Sequence, residues 1–571
     1  MTYDLIIRNG TVVDGSGDPS YRGDLGIAGD RIAAIGNLKG ERAAETIDAD
    51  GHVVAPGFVD GHTHMDAQVF WDPLGTCSCW HGVTSVVMGN CGFTIAPCAE
   101  KNKALVLRNL ERAEDISASA MEAGIPWSWE TFPQFLDTVE RLPKGINYAT
   151  YVGHSALRTY VMGERAFTDP ATPDDMAAMK RELKAGIRAG AVGLSTSRTG
   201  NHRTPDGGPV ASRVGPWSEV QDLVGVMADM KQGIFEISRE VADTDPVRKR
   251  LELEQIKALT IESGVPVTFG SSWYLRRLPN DWPAHLAMVD ETIAAGGKMM
   301  VQGTATWNSS LRSFETLMLF DRAPVWTEFR KLSLAEQEAG LRDPEMRRKL
   351  VEATRTYKVS TDLALPNALR REIDWNWIFP FDRPLPPYRS IAEMAREQNR
   401  DPVEILIDCA LEKNLKMFFL NPNSNEDQDF VLKMIKHPNT VVTFTDSGAH
   451  VSSVINPVQT YLLGYWVRER QAISMEMAVR KMTHDIASFW GLRGRGLLRE
   501  GYAADVVIFD PNTIAPTLPT LARDLPTGAE RLIQKATGIA ATIVNGQVLM
   551  RNGEHTGALP GQLMRGTSSR N

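Results

Sequence analysis

The sequence predicts an α/β chain: a closed (β/α)8 barrel of the TIM type, a small β unit built from both chain ends, and a helical insertion near the barrel mouth. Three observations lead there. Eight short apolar runs alternate with amphipathic helical stretches through the middle of the chain, the pattern of a parallel sheet wrapped by helices. The two ends are instead β-rich and punctuated by hairpin turns. One stretch, about 311–387, follows neither pattern.

The opening, DLIIRNGTVVDGSGDPSYRGDLGIAGDRIAAIGNL, consists of short strand-like runs broken at Asn9-Gly10, Gly15 to Asp18 and Gly29-Asp30. The middle then supplies the run leading into His62, followed by TSVVMGNC, INYATYVGH, AVGLSTSR, GIFEISRE, PVTFGSS, KMMVQGT and VVTFTDSG. Each ends in a polar residue or cluster, and the C-terminal strand ends of a parallel barrel are where its active site lies. From about Leu311 to Pro387 the chain is rich in Arg, Trp, Phe and Pro, with helical runs such as LSLAEQEAGLRDPEMRRKLVEATRTY. That is too long for a loop and is expected as a cap at the mouth or as peripheral decoration. The end returns to strands in GYAADVVIFDP and ATIVNGQVLMRNG, the latter folded at Asn545-Gly546. The expected division is 1–57 and 491–571 for the terminal β unit and 58–490 for the barrel.

At 571 residues with a formal charge of −8 and no runs of like sign, the chain has neither the basic face for nucleic acid nor one for anionic membrane. MTYDLIIRNG is not a secretory leader and no stretch approaches the roughly 20 apolar residues of a membrane span, so a cytoplasmic location is expected. The five cysteines form no CxxC pattern, and four are expected as buried thiols.

His62 and His64, in APGFVDGHTHMD, carry the most chemistry. Residues at i and i+2 of a strand share a face, so two imidazoles converge where a divalent metal can be held, with Asp60 and Asp66 nearby. The bland alternative is a pair of polar loop residues.

PGFVDGHTH, GVTSVVMGNCG, YVGH, GAVGLST, a late TDSG and GYAADVVIFDP, in this order, resemble the amidohydrolase superfamily in its D-aminoacylase branch, over nearly the whole chain. The resemblance implies a metal-bearing barrel beside a β-sandwich made from both ends. It implies metal ligation by His62, His64 and Cys91, the last as a thiolate, which favours zinc. Asp446, in VVTFTDSGAH, matches the carboxylate that binds the metal-held water, takes its proton and passes it to the leaving nitrogen. His154, in YVGHSALR, is implied to line the site near the substrate carbonyl.

Two motifs depart from the branch. Glu236 stands where the fifth strand carries a histidine, and Ser271 where the sixth does; glutamate can replace imidazole as a ligand, whereas serine is a poor one and is kept as a substrate-binding candidate. The metal is therefore expected to be held mainly by His62, His64 and Asp446, with Cys91 and Glu236 as further candidates. Trp273 occupies the place of a lysine that meets the substrate carboxylate, which suggests an aromatic wall for a flatter, more apolar group. Arg198, in STSRTGNHR, is a candidate for the lost carboxylate contact or a packing arginine. His52, His81, His285, His437, His484 and His555 are assigned no catalytic role, and His450 is placed in the loop after the eighth strand.

The expected activity is metal-dependent hydrolysis, by activated water, of an amide C–N bond in a small N-acyl compound, with one or two Zn2+ per chain. A cyclic amide, lactone or other ester on the same site is the second enzymatic reading, and an inactive binding relative the third. The expected partner is a small molecule, with homo-oligomers allowed by the broad surfaces of such a fold.

Overall fold

The computed structural model describes residues 3–240, 244–358, 372–453 and 457–566. The chain begins with β1 (Tyr3–Val12), β2 (Tyr21–Ala28), β3 (Arg31–Gly36), β4 (Ala43–Asp48) and β5 (Val53–Pro56). β1, β2 and β3 form an antiparallel meander, while β4 and β5 return parallel to β1.

Three parallel sheets follow. The first contains β6 (Phe58–Asp60), β8 (Val83–Met88) and β9 (Asn147–Thr150); between β6 and β8 lies the two-residue β7 (His62–Thr63). The second runs in order through β10 (Val152–Gly153), β11 (Gly193–Ser197), β12 (Ile234–Ser238), β13 (Val267–Gly270) and β14 (Met299–Gly303) to β18 (Thr440–Val442). The third pairs β19 (Phe444–Ser447) with β7, in parallel, Phe444 opposite His62. All eight apolar runs of the sequence are therefore strands. β8 is buried at every position, because helices cover one face of a parallel sheet and the interior the other.

Between β14 and β18 lie β15 (Asn308–Arg312), β16 (Phe379–Pro380) and β17 (Phe419–Ser424), an antiparallel sheet in the order β15, β17, β16. Helices Pro324–Phe329, Leu334–Arg342, Pro344–Thr356, Ile391–Gln398 and Pro402–Glu412 accompany it. The irregular stretch thus belongs to a unit that continues past residue 387 to β17, with its own core of Trp326, Phe329, Leu341, Leu350, Leu406 and Phe419. Residues 359–371 of that stretch lie outside the described residues.

After helix His484–Phe489, β20 (Val506–Phe509) inserts antiparallel to β5, Val506 opposite Pro56. The chain next makes two short antiparallel pairs, β21 (Ala515–Pro516) with β24 (Ala536–Thr537) and β22 (Thr520–Ala522) with β23 (Arg531–Ile533). It ends in β25 (Ile539–Val544), β26 (Gln547–Arg551) and β27 (Glu554–His555), which extend the sheet from β20. Both chain ends thus form one nine-stranded sheet, whose core packs Leu5, Ile7 and Ile27 from the start against Val506, Ile508 and Ile543 from the end. Among the described residues, no helix is long and apolar enough to cross a membrane.

Candidate metal centre and its cleft

His62 on β7 and Asp446 on β19 are brought together by the pairing of those two strands. Asp446 Oδ1 lies 3.2 Å from His62 Nε2 and 3.6 Å from His64 Nε2. Cys91 follows β8, and its Sγ is 3.6 Å from His62 Nε2. Cys91 (φ 58°) and Asp446 (φ 55°) both occupy the left-handed backbone region, a local cost that recurs where side chains are aimed at a site. Gly448 has φ +95°, and a Cβ there would come within 2.6 Å of the His64 carbonyl oxygen, so the TDSG glycine permits the close approach of the two strand ends.

One ligand atom each from His62, His64 and Cys91 lies within 4.8 Å of the others, and all three residues are buried. Around them the carboxyl groups are crowded. Burial, followed by the nearby acids Glu236 and Asp446, pushes the Cys91 thiol well above its ordinary range. Burial likewise raises Glu236 to about 7 against the pull of His62, and raises Glu114 far above the carboxylate range. Glu236 Oε1 and Glu114 Oε2 are buried without a hydrogen-bond partner. Two imidazoles, a thiol and orphaned carboxylate oxygens form a donor set that a divalent cation fits, because it would favour the ionised thiol and acids together. At Asp446 burial opposes ionisation, yet hydrogen bonds from His62 and His64 hold its carboxyl far below the ordinary range.

Three supporting groups surround the pair, of which motif reading singles out only Asp60. His62 Nδ1 donates to Gln302 Oε1 at 2.5 Å, which would leave Nε2 to a metal once its proton toward Asp446 is displaced. His64 Nδ1 lies 3.2 Å from Glu114 Oε1, at the end of helix Lys103–Glu114. Asp60, raised to about 7 by burial, accepts from the His62 backbone N–H at 3.1 Å and from Thr445. Gln302 did leave a trace, a polar residue inside the apolar run KMMVQGT; Glu114 left none.

The remaining expected site residues are distributed differently. Glu236 is buried beside the centre but is not one of the three clustered donors; its Oε2 accepts from Cys91 N at 2.7 Å. Ser271 is 2% exposed, and its backbone N–H donates to the Gln302 carbonyl at 2.9 Å. In front of the preceding Gly270 stands the ring of Phe444, which also meets His62 edge-on at 4.4 Å. Trp273, expected as a substrate wall, requires correction: it is 1% exposed, stacked on His285 at 5.5 Å with Arg239 over its ring. Arg198 donates through Nη1 to the carbonyls of Ser212 and Gly215, the behaviour of a packing arginine.

His154 is likewise corrected. It is fully buried, with Nδ1 on Thr196 Oγ1 and Nε2 on Glu219 Oε1, each at 2.8 Å, so neither nitrogen is left for a substrate carbonyl. Glu219 also takes two bonds from Arg158 Nη1, at 2.6 and 2.7 Å. Burial works against the charge, yet His154 and Arg158 hold the Glu219 carboxyl down to about 2. A carboxyl lowered on folding stabilises the fold above the ordinary carboxylate range and loses that contribution as pH falls toward its folded value. Glu219→Gln is therefore expected to cost about 3 kcal/mol at pH 7 in urea unfolding, a difference from wild type that shrinks between about pH 4.3 and 2.

A cleft opens beside Asp446, lined by Ser78, His81, Ser447, Gln459 and Arg531 among others. A second groove, lined by Trp307, Phe381, Tyr388 and Tyr461, shares Pro457 with it. The aromatic surface bordering the cleft therefore comes from the unit between β14 and β18 and from helix Val458–Tyr461, not from Trp273.

An amidohydrolase family model matches residues 45–550. The chain is 27% identical to a D-aminoacylase of Alcaligenes xylosoxydans xylosoxydans, covering 99% of this chain and 98% of that one. Its fold is similar to a D-aminoacylase studied for its binuclear metal centre, with a TM-score of 0.66 and 22% identity over 98% of this chain and 99% of the other. It is also similar to the N-acyl-D-glutamate deacylase from Bordetella bronchiseptica, complexed with zinc and a phosphonate inhibitor, with a TM-score of 0.65 and 23% identity over 99% and 100%.

Proposed function

The chain belongs to the amidohydrolase family, and from that premise we propose that it hydrolyses the amide C–N bond of a small N-acyl amino acid with the help of a bound metal. The observation that carries the proposal is the meeting of His62, His64 and Cys91 within 4.8 Å of one another, with Asp446 against both histidines. A divalent ion bound there supplies Lewis acidity toward a carbonyl oxygen and toward water. Zinc suits one thiolate and two imidazoles, and one ion per chain is the expected content, since Glu236 and Ser271 stand where the related motifs carry imidazoles. The similar deacylases point to the N-acyl amino acid class.

The protein's own groups do the rest. Asp446 accepts the proton of the attacking water and returns it to the departing nitrogen. Gln302 fixes the tautomer of His62, and Glu114 orients His64. The parallel sheets are read as arcs of one closed (β/α)8 barrel over 58–490, with 1–57 and 491–571 forming the β-sandwich and the protein residing in the cytoplasm. Supporting the barrel, β6 and β7, β9 and β10, and β18 and β19 are each separated by one residue, and β19 pairs back to β7.

The test combines metal analysis with amine release from N-acetyl amino acids of both configurations. About one zinc per chain and amine release are expected; a metal-loaded protein that releases no amine from any of them would overturn the proposal. Gln302→Leu is expected to weaken metal binding about 10- to 100-fold in a chelator competition, with Gln302→Glu retaining it.

A further inference from the structure

The cleft beside Asp446 holds a cation that the chemistry of the strand ends does not use. Arg531, on β23, is 7% exposed and lines the same cleft as Asp446. Its Nε and Nη2 are tied to the two carboxylate oxygens of Asp524, at 2.7 and 2.8 Å, and Nη2 also donates to Thr76 Oγ1 at 2.9 Å. Nη1 donates no hydrogen bond among the described residues. The acid nearest to it in the ion pairs, Asp72 Oδ2, is 3.7 Å away and already accepts from Thr76 N and Gln68 Nε2. The guanidinium is thus clamped on one edge by hydrogen bonds and meets Asp72 on the other only as a longer ion pair, so Nη1 keeps its donors in a preorganised group that loses little side-chain entropy on meeting an anion. Its partner Asp524 has a side chain 47% exposed, so water screens that pairing.

We infer that Arg531 is the specificity-determining residue that receives the substrate's carboxylate, through Nη1, and that the substrate is an N-acyl amino acid with a bulky apolar group. The inference rests on the cleft being the substrate site of the proposed hydrolase. The apolar group is assigned to the adjoining groove of Trp307, Phe381 and Tyr388, which meets the cleft at Pro457. The contact comes from a part of the chain remote from the barrel strands: Leu532 N donates to the Val451 carbonyl at 2.7 Å, which seats the β22–β23 pair on the loop after β19. Recognition is thereby built by the C-terminal segment and the chemistry by the barrel.

The test measures binding, so that it does not depend on turnover. N-acetylphenylalanine of each configuration and its neutral carboxamide are titrated calorimetrically into the zinc-loaded wild type, Arg531→Gln and Arg531→Lys. At least tenfold tighter binding of one acid over its carboxamide is expected in the wild type, abolished in Arg531→Gln and partly kept in Arg531→Lys, with carboxamide binding unchanged in all three. Unchanged carboxamide binding shows that the variants are folded; should Arg531→Gln lose it, Arg531→Lys alone decides, and equal acid preference in that variant and the wild type would overturn the inference. Equal binding of acid and carboxamide by the wild type, or undiminished acid preference in Arg531→Gln, would overturn it as well. Acid preference that depends on Arg531 in a protein that hydrolyses neither ligand would leave this inference standing and remove the proposed hydrolysis instead.

Discussion

His62→Ala/His64→Ala is expected to purify without bound metal and to lower kcat/KM by about 10⁴-fold, or roughly 5 kcal/mol of transition-state stabilisation. Both imidazoles are buried and both face Asp446 Oδ1, so the double substitution removes two of the three clustered donors. Cys91 alone is then left beside Glu236 and Asp446, where burial and neighbouring acids hold it as a thiol. Such a residue no longer offers the thiolate that a soft divalent ion needs. Elemental analysis reads the first part and amine release the second, with circular dichroism as the check on folding. A variant that still carried one ion per chain would move the centre away from β7, onto Cys91 and Glu236.

The parts of this arrangement that depend on local pattern were legible in the sequence. Every one of the eight apolar runs formed strand because a strand buried on both faces must be continuously apolar, and β8 shows this at every residue. His62 and His64 were legible because the period of a strand places i and i+2 on one side. What escaped was set by packing between distant segments. Trp273 follows β13 as the lysine of the related motif would, yet His285 and Arg239 offered its indole a stacked, buried berth, and burial of so large a ring outweighs exposure to the cleft. His154 looked catalytic from YVGH, but Glu219, 65 positions later, takes its second nitrogen. Glu114 and Arg531 reach the centre and its cleft from a helix end and from the C-terminal β22–β23 pair, where no spacing rule links them to His62.

Asp446→Asn separates binding from proton transfer. Asparagine keeps the size of the side chain and an oxygen to face His62 and His64, and the backbone region with φ 55° is one that asparagine adopts readily. Metal content is therefore expected to stay near that of the wild type, because the three donors His62, His64 and Cys91 are untouched. An amide, however, cannot accept a proton from water or hand one to a leaving nitrogen, so kcat is expected to fall by about 10³-fold, within the range that positioned acid–base groups contribute. KM should change little, since the carboxylate contact proposed for Arg531, which lines the same cleft, is untouched. Single-turnover amine release with a metal-loaded variant makes the measurement. Metal loss equal to that of the double histidine variant would instead make Asp446 chiefly a ligand, and the proton would have to be carried by another buried acid beside the centre, of which Glu236, raised to about 7 and with Oε1 unpartnered, is the one on a parallel strand, β12.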